Sequence, residues 1–364
     1  MNDPRFCLAW VVAVTACDPG PPGQDSATAS TTSTSTTAST DDDETTTAPT
    51  TSGGPDGGSA LGCTDVRWVH PFPWLASIRG LAVDSRQHVR TGYRDGDYHV
   101  LDIDPSGLVV GTMDFADTSP NWYGIDDQDD LLLVFHEDDS IHRLRKFDVH
   151  GAQLWEVEYQ PDAKGLSQPH AKPGPGGTTV VTRDTWIFKY DADGQQLWEM
   201  QDPGYPLIAG VSAEGVIIGF YVTTTDFWAR DADGQLLWQE DWGEHAQSDR
   251  VFAVDAGGGI AVGEQALGVA RFTVDGTLEW ERTEEELGVR VDAMAMNAKG
   301  QLAVLGQTME LGGASAAVVL DADGTETTKR ACTELDGKEV AIDEAGRVVI
   351  GANDLDDYYV VSFD

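Results

Sequence analysis

Twelve side chains in this sequence are of the types that bind ligands or move protons, and all sit near strand ends or in the segments between strands. They are Arg79, Trp122, Tyr123, His136, Glu137, His170, Arg183, Trp186, Asp226, His245, Arg250 and Glu264. Two imidazoles and a carboxylate make a plausible metal donor set, and His136, Glu137 and His170 could supply it. The supporting spacing is missing: the chain has no HxH, HExxH or CxxC pattern, so no metal is expected and the trio reads equally as solvated loop residues. A GxSxG elbow, a P-loop and a strand-borne GxGxxG are also absent, which removes the commonest nucleophile and phosphate cradles.

The Asp-rich phrases at Asp191-Ala192-Asp193-Gly194, Asp231-Ala232-Asp233-Gly234 and Asp321-Ala322-Asp323-Gly324 resemble pieces of a calcium loop. They lack the third acid before the glycine and the closing glutamate of an EF-hand. An Asp-Gly pair at a hairpin supplies the positive φ that such a turn needs, and that accounts for them without a cation.

The same phrases reveal what must position the twelve residues. Turn glycines at 107, 151, 194, 234, 276 and 324 stand 44, 43, 40, 42 and 48 residues apart. A period of this length marks a β-propeller. Between them lie strand, Gly-containing turn, strand segments such as VFAVDAGGGIAVGE and EVAIDEAGRVVIGA, so each unit holds four short strands. Inner strands start near Ile78, Tyr123, Gln168, Ile208, Val251, Val291 and Val340, giving seven blades. Trp155, Trp198, Trp238 and Trp280 each follow their turn glycine by four residues. An indole recurring once per blade reads as packing between blades, since one ligand site has no use for four symmetry-related copies. The twelve candidates would then ring one mouth of the central channel, on the face formed by the loops entering inner strands and joining second to third strands.

The seventh unit stops after YYVVSFD, one strand short. Thr64–His70 reads like the missing strand, with Trp68 in the place of Trp238, so the ring is expected to close by N-terminal strand donation. Cys63 and Cys332 flank this closure and are expected to form a disulfide.

The first sixty residues have a different character. Phe6–Ala16 is an apolar run too short to span a bilayer, bounded by Arg5 and by Cys17-Asp18-Pro19-Gly20, as in a signal peptide. Val14-Thr15-Ala16-Cys17 resembles the lipobox of bacterial lipoproteins, which implies a lipoprotein signal peptide over 1–17 whose Cys17 is retained as the lipidated N-terminus. Residues 18–62 follow with eighteen Ser or Thr between Gln24 and Gly53, seven acids and no Lys or Arg. Such a stretch cannot repay its ordering entropy and reads as a disordered stalk. As a flexible coil its reach would be on the order of 40 Å.

The D-x-D-G-x-x-x-W phrases resemble the repeats of PQQ-type propellers, a family that holds quinoprotein dehydrogenases and non-catalytic envelope lipoproteins. The resemblance implies the fold and leaves two classes of activity. The enzymes carry an adjacent Cys-Cys disulfide and usually eight blades; here the cysteines stand at 7, 17, 63 and 332, and seven blades are counted.

Charge narrows the partners. With 23 Lys and Arg against 62 Asp and Glu the chain carries −39, and residues 63–364 alone carry 22 against 54, or −32. Nucleic acid and anionic surfaces are repelled. The expectation is an all-β, seven-bladed propeller over 63–364, held outside the cytoplasm at the cell envelope by an N-terminal lipid in the membrane. It would be monomeric, need no cofactor, and bind an envelope protein or small ligand without catalysis. The alternative is a propeller enzyme, a quinoprotein-like oxidoreductase or a metal-dependent hydrolase or lyase, with its site at the channel mouth.

Overall fold

The computed structural model describes residues 61–72, 77–115, 120–138, 141–159, 170–224, 226–241, 250–265, 267–309, 314–354 and 357–363, with some side chains at the edges of these segments excepted. The signal sequence, Cys17 and the stalk up to Ala60 lie outside the described residues, whereas Leu61 and Gly62, expected in the stalk, are held against the body by hydrogen bonds.

Seven antiparallel four-stranded sheets make up the body. Their inner strands are Ser77–Val83, Pro120–Ile125, His170–Pro173, Pro206–Val211, Arg250–Val254, Val289–Met296 and Asp336–Ile342, in blades 1 to 7 respectively. Each is followed outward by three more strands in chain order, except in blade 7, whose fourth strand is Val66–Pro71 from the N-terminal side. That strand pairs antiparallel with Tyr358–Phe363, Val66 opposite Phe363 and Pro71 opposite Tyr359. The meander sets two kinds of face. One carries the loops that enter inner strands and join second to third strands; the other carries the tight turns between first and second and between third and fourth strands.

The core lies between blades. Leu132, Val134 and Leu144 of blade 2 pack against Ala171, Val181 and Tyr190 of blade 3, and the same pattern continues around the ring. Inner strands touch their neighbours in all seven places, so the ring is closed. Closure leaves the sheet no long free edge at the start or end of the body.

The recurring phrases act as expected. In blade 3 the Asp191 carboxylate accepts from the amides of Asp193 (3.0 Å) and Gln195 (2.8 Å), while Gly194 takes φ +77°. Blades 1, 2 and 4 repeat this at Asp104, Asp148 and Asp231. One carboxylate oxygen of each of these aspartates is therefore engaged in turn formation. Each indole crosses to the next blade: Trp155, Trp198, Trp238 and Trp280 donate to the carbonyls of Ala192, Ala232, Val274 and Ala322 at 2.7 to 3.0 Å. The turn glycine lets the ring approach; a Cβ on Gly194 would sit 2.9 Å from Trp155. Trp68 of the closing strand packs in the same manner on Gly107, which completes the equivalence.

Cys63 and Cys332 form a disulfide. Around it Thr64 N donates to Ala331 O, and Thr333 and Glu334 donate to Gly62 and Leu61, so residues 61–64 line up along the end of the outer strand of blade 6 before entering blade 7. Among the described residues no helix is long and apolar enough to cross a membrane.

Candidate functional site

The twelve candidate residues divide by what the structure describes of them. His245 lies outside the described residues, as do the side chains of Arg79, Trp122, Tyr123, His136, Glu137 and Arg250. The possible metal trio thus has only His170 in view. Among the described residues no group of three His, Cys, Asp or Glu is placed to hold a metal ion.

The rest sit at strand ends on the loop face, and they pair within blades more than they converge. Arg183 and Trp186 face each other across the hairpin of blade 3, where Arg183 is 7% exposed with its Nε 3.6 Å from Asp184. Trp186 is half-buried and stacks on Phe188 with centroids 6.2 Å apart. Asp226 accepts from Gln239 Nε2 at 2.6 Å. Glu264 is buried opposite Arg250 in blade 5. None of these is at the wall of the channel. His170 is different, because it opens the inner strand of blade 3 and starts the run His170-Ala171-Lys172-Pro173 toward the channel.

That channel holds a cavity of about 370 Å³, with wall residues from all seven inner strands. A volume of this size falls within the range of small-molecule sites. Its wall includes Leu81, Ile125, Val251, Phe252, Met294 and Met296, with Gly and Ala between them. Among the described residues Lys172 is the one charged residue in it. Lys172 lines the channel, and protein atoms surround both His170 and Lys172. Burial pushes the Lys172 ammonium down to about 8. Burial, with a smaller push from the Lys172 charge, takes the His170 imidazole down to about 4. At neutral pH His170 is therefore uncharged, and Lys172 carries the charge of this strand.

Lys172 was not among the residues singled out from the sequence, yet a signal for it exists. Aligned on the turn that follows each inner strand, the residue before last is Ala82, Gly124, Gly210, Ala253, Ala295 or Ala341 in six blades and Lys172 in the seventh. Small residues at this level let seven strands converge, and one lysine breaks the pattern.

No protein-family model matches the chain, and no curated protein matches it in sequence. Solved structures share its fold. A streptogramin B lyase superposes with a TM-score of 0.59 at 14% identity, covering 82% of this chain and 98% of that one. A catalytically inactive variant of virginiamycin B lyase from Staphylococcus aureus, with quinupristin, gives 0.57 at 13% identity, over 81% and 99%. The WD40 domain of Neurospora crassa Pan2 gives 0.56 at 10% identity, over 79% and 89%. Enzymes and WD40 domains stand side by side at this level of likeness, and what they share with this chain is the propeller itself.

Proposed function

We propose that the protein is a non-catalytic binding module, exported and lipid-anchored at Cys17, carried on the stalk of residues 18–62, with the central channel as its binding site. One observation carries the reading. The cavity that gathers inner-strand residues of all seven blades is walled, among the described residues, by apolar side chains and one cation, and no described carboxylate or histidine lines it. An apolar wall with a single polar group favours retention of a ligand by burial and orientation, rather than proton transfer between paired groups.

The composition of the N-terminal segment supports export and anchoring, and the strong negative charge supports a partner other than nucleic acid or an anionic lipid surface. A photo-crosslinking amino acid placed at His170, in the full chain in its native cells, should give discrete adducts, while the same group at the exposed turn-face residue Asp193 should give none. Equal labelling from both positions, or labelling from the turn face alone, would remove the channel as the site. For the anchor, Cys17→Ala should abolish incorporation of a labelled fatty acid; retention of label would refute lipidation there.

A further inference from the structure

We propose that the outer edge of blade 2 is a docking site for an extended, cationic segment of a partner protein, which adds to the blade as a fifth strand. The site is separate from the channel and stands or falls without it.

The edge is the first support. The outer strand of this blade, Gln153–Tyr159, ends its sheet, and among the described residues no segment pairs with its outer side. A strand in this position presents a row of backbone donors and acceptors that templates the pairing of another strand. The molecule completes such edges twice with its own N-terminal residues. Val66–Pro71 forms the fourth strand of blade 7, and Leu61–Thr64 lies along the end of blade 6, where Thr64 N donates to Ala331 O and Thr333 N to Gly62 O. Strand addition is thus a contact this architecture already uses.

The side chains of the edge select what adds. Trp155 and Val157 turn toward blade 3, with the Trp155 indole donating to Ala192 O at 2.7 Å. Alternation along the strand places Leu154, Glu156 and Glu158 on the opposite face, where Leu154 is 50% exposed. The third strand of the blade supplies the cations of this face: Arg145 Nε donates to Glu156 at 2.6 Å and Arg143 Nη2 to Glu158 at 3.4 Å. Positive and negative rungs therefore alternate from strand to strand, and favourable cross-strand pairing makes a cation the next rung. A carboxylate has more acceptor sites than one guanidinium contact uses, so Glu156 and Glu158, both partly exposed, have room to receive it. Leu154 favours an aliphatic residue at the remaining position.

Other outer strands lack this combination. The corresponding positions are Leu197, Glu199 and Gln201 in blade 3, and Glu279 and Glu281 without the leucine in blade 5. Charge also decides between occupants. A second copy paired on this edge would set glutamates against glutamates, which is destabilising, whereas the net charge of −39 draws cationic chains toward the body. Main-chain hydrogen bonds then give affinity and the alternate side chains give selection.

The test is titration of the full chain with the labelled peptide acetyl-TKVKTLT-amide, read by fluorescence anisotropy, with amide hydrogen exchange to locate it. In antiparallel pairing its two lysines and its leucine meet Glu158, Glu156 and Leu154. It should bind at least tenfold more tightly than acetyl-TEVETLT-amide, and at least tenfold more tightly than its own N-methylated form, which keeps the charges and cannot pair through backbone N–H groups. Exchange should slow within residues 153–159. Glu156→Gln combined with Glu158→Gln should weaken the peptide at least fivefold. If that variant does not fold, the natural protein decides: raising salt from 50 to 500 mM should weaken binding at least fivefold, and a flat salt profile overturns the assignment. Equal binding of the N-methylated peptide, or protection confined to residues outside 153–159, would reduce the contact to diffuse charge attraction and overturn the proposal. Absence of binding at 1 mM peptide would do the same, as would self-association of the natural protein that blocks the peptide, which would make a second copy the occupant.

Discussion

The turn face and the channel wall are built from the same seven repeats, yet they treat charge in opposite ways. On the turn face cations are buried with partners. Lys146 Nζ lies 2.6 Å from Asp126 and 3.1 Å from Asp130, and also donates to Gly177 O of the next blade. Arg271 does the same in blade 5, 2.7 Å from Asp255 and bonded to Gly300 O of blade 6. Among the described residues of the channel wall Lys172 is the single cation, and burial pushes its ammonium down to about 8. The turn-face groups tie each blade to the next and so recur in some form around the ring. Lys172 recurs nowhere. In a symmetric fold, what every repeat keeps belongs to assembly, and what a single repeat changes is where a specific activity can reside.

The sharpest way to break this contrast is to remove a turn-face cation. Lys146→Met leaves Asp126 and Asp130 buried without their partner and should cost about 3–5 kcal/mol in urea unfolding. A loss below about 1 kcal/mol would mean that the turn-face ion pairs are ornamental to assembly.

Next in size is the disulfide, which stands where blade 7 lacks a third-to-fourth strand turn of its own. Cys63→Ala with Cys332→Ala should lower stability by about 2–4 kcal/mol. An unchanged urea midpoint would show that the closing strand holds by pairing and Trp68 packing alone.

Much of this assembly chemistry was readable from residues. The spacing of Gly194 and Trp198, the strand-like Thr64–His70 and the placing of Cys63 and Cys332 all follow from repetition, which turns one weak local signal into several concordant ones. Lys146 with Asp126 and Asp130 was not readable, because a residue of one strand meets a turn from another, and spacing in one sequence does not encode that meeting. The candidate site was only partly legible for a related reason. The loop-face residues Arg183, Trp186, Asp226 and Glu264 were located correctly at strand ends, but whether they point to the axis depends on the twist of each blade. Lys172 was legible in principle, once the seven inner strands are aligned and the exceptional residue is sought.

Two histidines offer a smaller version of the same contrast. Partial burial pulls the His99 pKa down, but its hydrogen bonds to the carboxylates of Asp114 (2.7 Å) and Asp95 (2.9 Å) and their charges outweigh it, so the net shift is upward. A raised folded value means that the contribution of His99 is complete below about pH 6.5, the unfolded value, and fades as pH rises through the folded one. His170, at about 4, has the opposite sign: the unfolded chain binds the extra proton between pH 4 and 6.5, so its contribution is present above 6.5 and lost as pH falls toward 4. Melting curves of His99→Gln and His170→Gln against the natural protein, from pH 4 to 9, should therefore show differences of opposite slope. Slopes of the same sign would erase the distinction between the two environments.

The smallest expected effect is the most telling. Lys172→Ala gives blade 3 the residue type of the other six, and because burial lowers the Lys172 pKa from 10.5 to about 8, it should remove the gain in stability that deprotonation brings as pH rises from 8 toward 10.5. A loss of several kcal/mol would make Lys172 part of the framework and end its claim to a special role.

The pairing of Leu61–Thr64 with the end of blade 6, locked by Cys63 to Cys332, has a mechanical meaning. Tension transmitted along the chain from the sixty residues before Leu61 reaches Cys63 before it reaches Val66–Pro71. The load passes through a covalent bond into the outer strand of blade 6, and the closing strand is spared from being peeled off Tyr358–Phe363. A body pulled by its leading end would keep its ring shut until that bond is reduced, which makes the seam of the propeller a redox-dependent force bearing.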